Sequence, residues 1–244
     1  MTNTQELEIL YKNEHFVAVN KPSGLLVHRS PVDTKEKIFA LQMVRDQIGQ
    51  HVFPVHRLDR PTSGILLFAL NSEAARQTAQ LFQTGQVRKK YIAVVRGYIP
   101  EQGIINHPVK KIKDRYIRRQ SKQKNKIYQA VTNFKRLAKI ELPVSVDKYP
   151  TSRYSLAELS PKTGRRHQLR QHMKHLSHPI IGDTRYGKDV HNKFFVTRFN
   201  CKGLLLAAIK MHFLHPETGA DIMITATPDR NFSLILNQFN WNIK

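Results

Sequence analysis

His56-Arg57-Leu58-Asp59-Arg60-Pro61-Thr62-Ser63-Gly64 runs straight into the apolar stretch Ile65-Leu66-Leu67-Phe68-Ala69-Leu70, and this junction is the most informative in the chain. One carboxylate, Asp59, stands between two guanidinium groups, Arg57 and Arg60. The run behind it has the length of a buried strand. Opposite charges close by favour the ionised form of an acid and lower its pKa. An ionised carboxylate beside a cationic rim suits chemistry on an anionic polymer. The rim holds phosphates while the acid does covalent or proton-transfer work. The same residues also fit an Asp–Arg bridge that only orders a turn, and spacing alone does not separate the two readings.

Outward from this stretch lies a second polar cluster, TGRRHQLRQH, Thr163 to His172. Its pattern predicts a helix over 165–176, after the turn at 160–164. Arg165, Arg166 and Arg170 then lie near the helix start, where amides and guanidinium groups both favour anions. Arg166 and Arg170 share a face, and Arg165 points elsewhere. One arginine can turn inward to a carboxylate while the others meet an RNA backbone; a plain basic helix is the alternative. His167, His172, His175 and His178 follow, but no carboxylate accompanies them and Pro179 ends the helix. They lack the HExxH pattern, so packing and phosphate contact are expected rather than metal binding. Tyr91, in KKYIAVVRG (89–97), falls on a predicted strand, where most tyrosines simply pack.

Composition sets the class of partner. Among 244 residues there are 40 Lys and Arg against 18 Asp and Glu, a formal net charge of +22. Such an excess points to a polyanion, RNA or DNA before an anionic membrane surface. Few acids, and none paired with Asp59, argue against a metal-dependent nuclease. The longest apolar runs fall far short of the ~20 residues that span a bilayer. The N-terminus shows no signal-peptide pattern, and Cys201 is the only cysteine, so a cytoplasmic protein without disulfides or cysteine-based zinc is expected. Between Lys110 and Lys126 there are nine Lys or Arg and one acid, Asp114, which reads as a loop or arm that touches phosphates.

The remaining pattern is mixed. A hairpin is expected over 8–20, helices over 35–48, 72–84 and 232–239, and strands over 52–56, 64–70, 90–96, 130–142, 154–159, 204–214 and 221–226. Strands outnumber helices and rarely alternate with them. The expected fold class is therefore α+β, with a mixed, mainly antiparallel sheet flanked by helices and loops. No leftover apolar stripe or coiled coil is present, so a monomer is expected.

NKPSGLLVHR (20–29), HRLDRPTSG (56–64), KKYIAVVRG (89–97) and PKTGRRHQLRQHMKHLSHPIIGD (161–183) together resemble the pseudouridine synthases of the RluA family, in that order and at similar separations. The likeness spans about Ile9 to Ala226. The stretches 44–64 and 149–159 narrow it to the branch that acts on tRNA at uridine 65, on the T-stem side. The resemblance implies the pseudouridine synthase fold with a central catalytic cleft, and isomerisation of a uridine without cofactor or metal. It implies that Asp59 is the catalytic aspartate, that Arg165 pairs with it, and that Tyr91 lies over the uracil. Arg57 would fill the gap left by the extruded nucleotide, with Arg60, Arg166, His167 and Arg170 as further RNA-binding residues. Family members often carry a histidine where this chain has Ala207-Ala208, and many carry an S4-type RNA-binding domain; here a single catalytic domain over 1–244 is expected. A ribosomal-RNA enzyme of the same family and a noncatalytic RNA-binding protein are the competing readings.

Overall fold

The computed structural model describes residues 6–29, 36–110 and 126–243. The chain enters through a hairpin, β1 (Ile9–Lys12) and β2 (Phe16–Lys21), followed by helix α1 (Ala40–Ile48), the short β3 (Phe53–Pro54) and β4 (Ser63–Ala69). Helix α2 (Ser72–Gln83) leads to β5 (Arg88–Arg96), β6 (Gln102–Asn106) and a small ribbon of β7 (Val109–Lys110) with β8 (Ile127–Tyr128). The long strands β9 (Val131–Leu142) and β10 (Ser152–Pro161) precede α3 (Gln168–His175), α4 (Asp189–Phe199), β11 (Leu206–Leu214), β12 (Asp221–Thr225) and α5 (Arg230–Gln238). One sheet runs β1-β2-β4-β11-β5-β10-β9-β6, with β12 beside β11 and β3 beside β4. Every pairing in it is antiparallel except β4 with β11. The expected mixed, mainly antiparallel α+β architecture is what forms.

Burial on both faces explains the unbroken apolar runs. In β4, Leu66 and Phe68 pack with Val17, Val19 and Val44 on the α1 side, while Ile65 and Leu67 pack with Phe16, Ala74 and Phe213 on the α2 side. In β5, Ile92 and Val94 meet Phe195 of α4 and Ile235 of α5, and Ala93 and Val95 meet Leu169 and Met173 of α3. A strand covered on both faces loses the alternation of a half-exposed one.

Local chemistry sets the boundaries. Gly49 takes a left-handed conformation that stops α1, which starts at Ala40 rather than in the region of Lys35; Lys35 itself lies outside the described residues. Asn71 caps α2 by accepting from the Ala74 amide at 2.8 Å, and Asp229 caps α5 by accepting from the Phe232 amide at 3.0 Å. Helix α4 has no counterpart in the apolar pattern. Its sequence, DVHNKFFVTRF, spreads Val190, Phe194, Phe195 and Phe199 around the axis instead of along one stripe. Of the Lys110–Lys126 segment, 111–125 lies outside the described residues, and the flanking residues form the β7–β8 ribbon. Among the described residues no helix is long and apolar enough to cross a membrane.

Candidate active site

Asp59 occupies a turn just ahead of β4, closed by the Thr62 amide donating to the Asp59 carbonyl at 3.0 Å. The NKPSG loop grips the same turn. Gly24 donates to the Arg60 carbonyl at 2.9 Å and the Ser23 hydroxyl to the Pro61 carbonyl at 2.8 Å. Lys21, fully buried, donates from Nζ to the carbonyls of Pro22, Leu25 and Arg60 at 2.8–3.1 Å. Burial lowers its pKa to about 7, with Asp59 opposing the shift. His56, stacked on Phe82, accepts from the Leu67 amide at 2.9 Å; burial lowers its pKa to about 3, so it is a neutral structural ring.

The opposite wall comes from α3 and the loop before it. His167 adopts a left-handed backbone (φ 55°), so the chain is not helical through Arg165 and Arg166; the helix starts at Gln168. Gln168 fixes the loop, accepting from the Thr163 hydroxyl at 2.7 Å and the Arg165 amide at 3.0 Å while donating to the Val131 carbonyl at 3.0 Å. This local geometry changes which arginine meets the acid. Arg170, not Arg165, reaches Asp59, with Nη1 3.5 Å from Oδ2. Arg170 is locked in turn by buried Asp183, Nε to Oδ2 at 2.7 Å and Nη2 to Oδ1 at 2.9 Å. Asp183 also accepts from the amides of Arg185 and Tyr186 at 2.9 Å. Arg165 instead lies over the Tyr128 ring, its Nε 3.4 Å from the Gln129 carbonyl.

The electrostatic expectation needs correcting as well. Burial is the largest influence on Asp59 and raises its pKa above the usual carboxylate value; Arg170, then Arg57 and Arg166, pull the other way without cancelling it. Its side chain is 16% exposed, and His167 Nε2 stands 3.7 Å away. Burial, with Arg170 and Arg166 adding to it, lowers the His167 pKa to about 3, so that ring is neutral.

A cavity of about 560 Å³ lies between these walls. Asp59, Arg57, Tyr91, Arg165, His167 and Arg170 all line it, and Leu206 of β11 supplies apolar wall where the neighbouring Ala207 and Ala208 carry no polar group. Tyr91 projects from β5; burial, then the Asp59 charge, raises its pKa far above the ordinary phenol value. Arg60 and Arg166 are not lining residues. Arg60 is engaged in the loop tie, Nε to the Gly24 carbonyl at 3.0 Å and Nη2 to Glu36 at 2.5 Å. Arg166 is exposed, though its charge reaches both Asp59 and His167.

The histidines divide as packing groups. His172 uses both ring nitrogens, one with the Thr132 hydroxyl and one with the His107 carbonyl, each at 2.9 Å. His175 stacks on His107, and His178 donates to the Arg96 carbonyl at 2.8 Å. Among the described residues no three metal-ligating side chains converge. Sequence reasoning missed Asp183, whose only signal is its place at the end of the 161–183 stretch, and Lys21 and Lys89, which look like surface lysines until the fold encloses them.

An acid under partial burial, a cation fixed by a second acid, and an aromatic ring in a roomy, basic-rimmed cavity are the elements of acid–base or covalent work on a nucleoside. Residues 15–175 match the family described as RNA pseudouridylate synthase. The tRNA pseudouridine synthase C of Haemophilus ducreyi is 53% identical over 97% of both chains. That of Vibrio parahaemolyticus is 49% identical over 97% of this chain and 96% of its own. Among solved structures, human RNA pseudouridylate synthase domain containing 1 superposes with a TM-score of 0.69 at 25% identity, covering 94% of this chain and 86% of that one. Human RNA pseudouridylate synthase domain containing 4 shares the fold, with a TM-score of 0.71 at 23% identity over 96% and 93%. With the family match extending over most of its length and covering the Asp59 turn, Tyr91 and Arg170, the chain belongs to the RNA pseudouridylate synthases, isomerases that convert uridine in RNA to pseudouridine.

Proposed function

We propose that the substrate is tRNA and the target uridine 65, on the T-stem side, and that the chain acts as a cytoplasmic monomer with no metal or cofactor. The names of the relatives at about half identity support tRNA, and the +22 charge supports a long polyanion. The observation that carries the catalytic reading is Asp59. A noncatalytic binder gains nothing from a carboxylate inside a phosphate-binding cleft, where it repels the ligand.

In this reading the uridine leaves the stack, since C1′ and C5 of a stacked base are not reachable together. Arg57 at the exposed rim takes the vacated place in the helix. The Asp59 carboxylate starts the reaction at the sugar; attack on C1′ and removal of the C2′ proton both begin from this one group. The N1–C1′ bond breaks, the uracil turns, and C5 bonds to C1′. C5 then loses its proton and N1 gains one, so the sum is an isomerisation. Tyr91, its phenol held protonated, packs against the base and relays the C5 proton through its hydroxyl rather than acting as a standing phenolate. Arg170 holds the carboxylate in place, and Arg60, Arg165, Arg166 and His167 complete the RNA-facing side.

The test is Asp59→Asn. Pseudouridine formation on tRNA falls by at least about 10³-fold, as for loss of an essential covalent or acid–base group, while tRNA affinity stays level or rises. Pseudouridine mapping in cells with and without the protein loses one site, position 65 of tRNA. Activity surviving in Asp59→Asn overturns the catalytic assignment, and a lost site in ribosomal RNA overturns the substrate.

A further inference from the structure

Lys89 stands two residues before Tyr91 on β5, so both side chains leave the same face of the strand. Both line the cavity. Lys90 between them points the other way and is paired with Glu158 at 2.9 Å. Lys89 differs from the lysines of the outer surface. It is half-buried, its Nζ lies 5.6 Å from the centre of the Phe82 ring, and among the described residues it makes no hydrogen bond or ion pair. A Cβ added at Gly164 would stand 3.8 Å from this Nζ, so the ammonium lies between Phe82 of α2 and the Pro161–Arg165 loop. A cation partly removed from water and left unpaired costs free energy unless an anion meets it. The only anion that RNA presents beside a nucleoside in this cavity is a phosphate.

We propose that Lys89 receives a non-bridging oxygen of one phosphate flanking the extruded uridine, fixing the nucleotide at a second point. This deepens the functional reading above and rests on it. Two fixed points, sugar against Asp59 and phosphate against Lys89, leave the base as the part free to turn.

The experiment measures single-turnover pseudouridine formation on tRNA assembled with a methylphosphonate, which lacks the phosphate charge, either 5′ or 3′ of the target uridine. Wild type is expected to lose about 10- to 100-fold at one linkage, the range of a charged hydrogen bond. Lys89→Met is expected to lose as much on unmodified tRNA and to be indifferent to methylphosphonate at that linkage. Lys89→Arg keeps most of the activity, and Lys90→Met behaves as wild type. Should Lys89→Met melt well below wild type, Lys89→Gln takes its place. The proposal is overturned if the Lys89 variants match wild type on unmodified tRNA, if they retain its sensitivity at both linkages, or if wild type is sensitive at neither. Wild type that makes no pseudouridine on unmodified tRNA overturns the functional reading instead.

Discussion

Arg170 serves two carboxylates at once, with a two-pronged grip on Asp183 and one further nitrogen toward Asp59. Only a guanidinium has the planar fork for this; a lysine ammonium satisfies one partner at a time. Arg170→Lys is therefore expected to lower kcat by about 100-fold, the scale of removing one preorganised charged contact. Arg165→Lys, at an exposed position over Tyr128, is expected to cost less than about tenfold. Parallel kinetics on the two variants check the reassignment, and equal losses would restore Arg165 as the partner. Asp59 yields a second prediction from its raised pKa. A buried acid whose folded pKa exceeds the unfolded value weakens the fold whenever it is charged. Asp59→Asn should thus melt higher than wild type at neutral pH. The gain should shrink as pH falls through the raised pKa and vanish below the ordinary aspartate range. Activity runs the other way, lost on the acid side as the same carboxylate protonates.

At the scale of elements, Gly64 explains why β4 can lie parallel to β11. Its φ is +102°, and an added Cβ would fall 2.1 Å from the Ala208 carbonyl oxygen. Gly64→Ala should cost about 3 kcal/mol or more, combining backbone strain with a backbone overlap that no rotamer relieves. Urea unfolding would show it, and a loss under about 1 kcal/mol would mean that the strands part easily. The strands around the site are legible in the sequence because 65–70 is a continuous apolar run and 90–96 has a strand-like pattern around its apolar centre, Ile92 to Val95. The acid is legible because its neighbours are so strongly charged. The arginine beside it is not. Helical spacing extends back through Arg165, whereas His167 turns left-handed and Gln168 ties the preceding loop to β9. That break depends on contacts with residues distant in sequence, Val131 and Thr132, which local periodicity does not contain. Helix α4 and the two-residue strands β7 and β8 escape for a related reason: tertiary packing, not an apolar stripe, holds them.

The whole molecule carries +22, and its RNA affinity should fall steeply with salt because each neutralised phosphate releases counterions. Replacing several of the basic residues between Lys110 and Lys126 with Gln should reduce the slope of log affinity against log salt. The reduction expected is about 0.7–0.9 for each phosphate no longer neutralised. An unchanged slope in filter binding would retire that segment as an RNA-binding element. The order of strands has another consequence. β11 lies between β4, which follows Asp59, and β5, which carries Tyr91, yet the ribosome makes it long after both. A growing polypeptide thus holds the acid and the ring without the spacer that sets their separation. Stalled nascent chains ending before Leu204 should retain RNA yet leave every uridine unchanged, so the catalyst stays silent throughout its own translation.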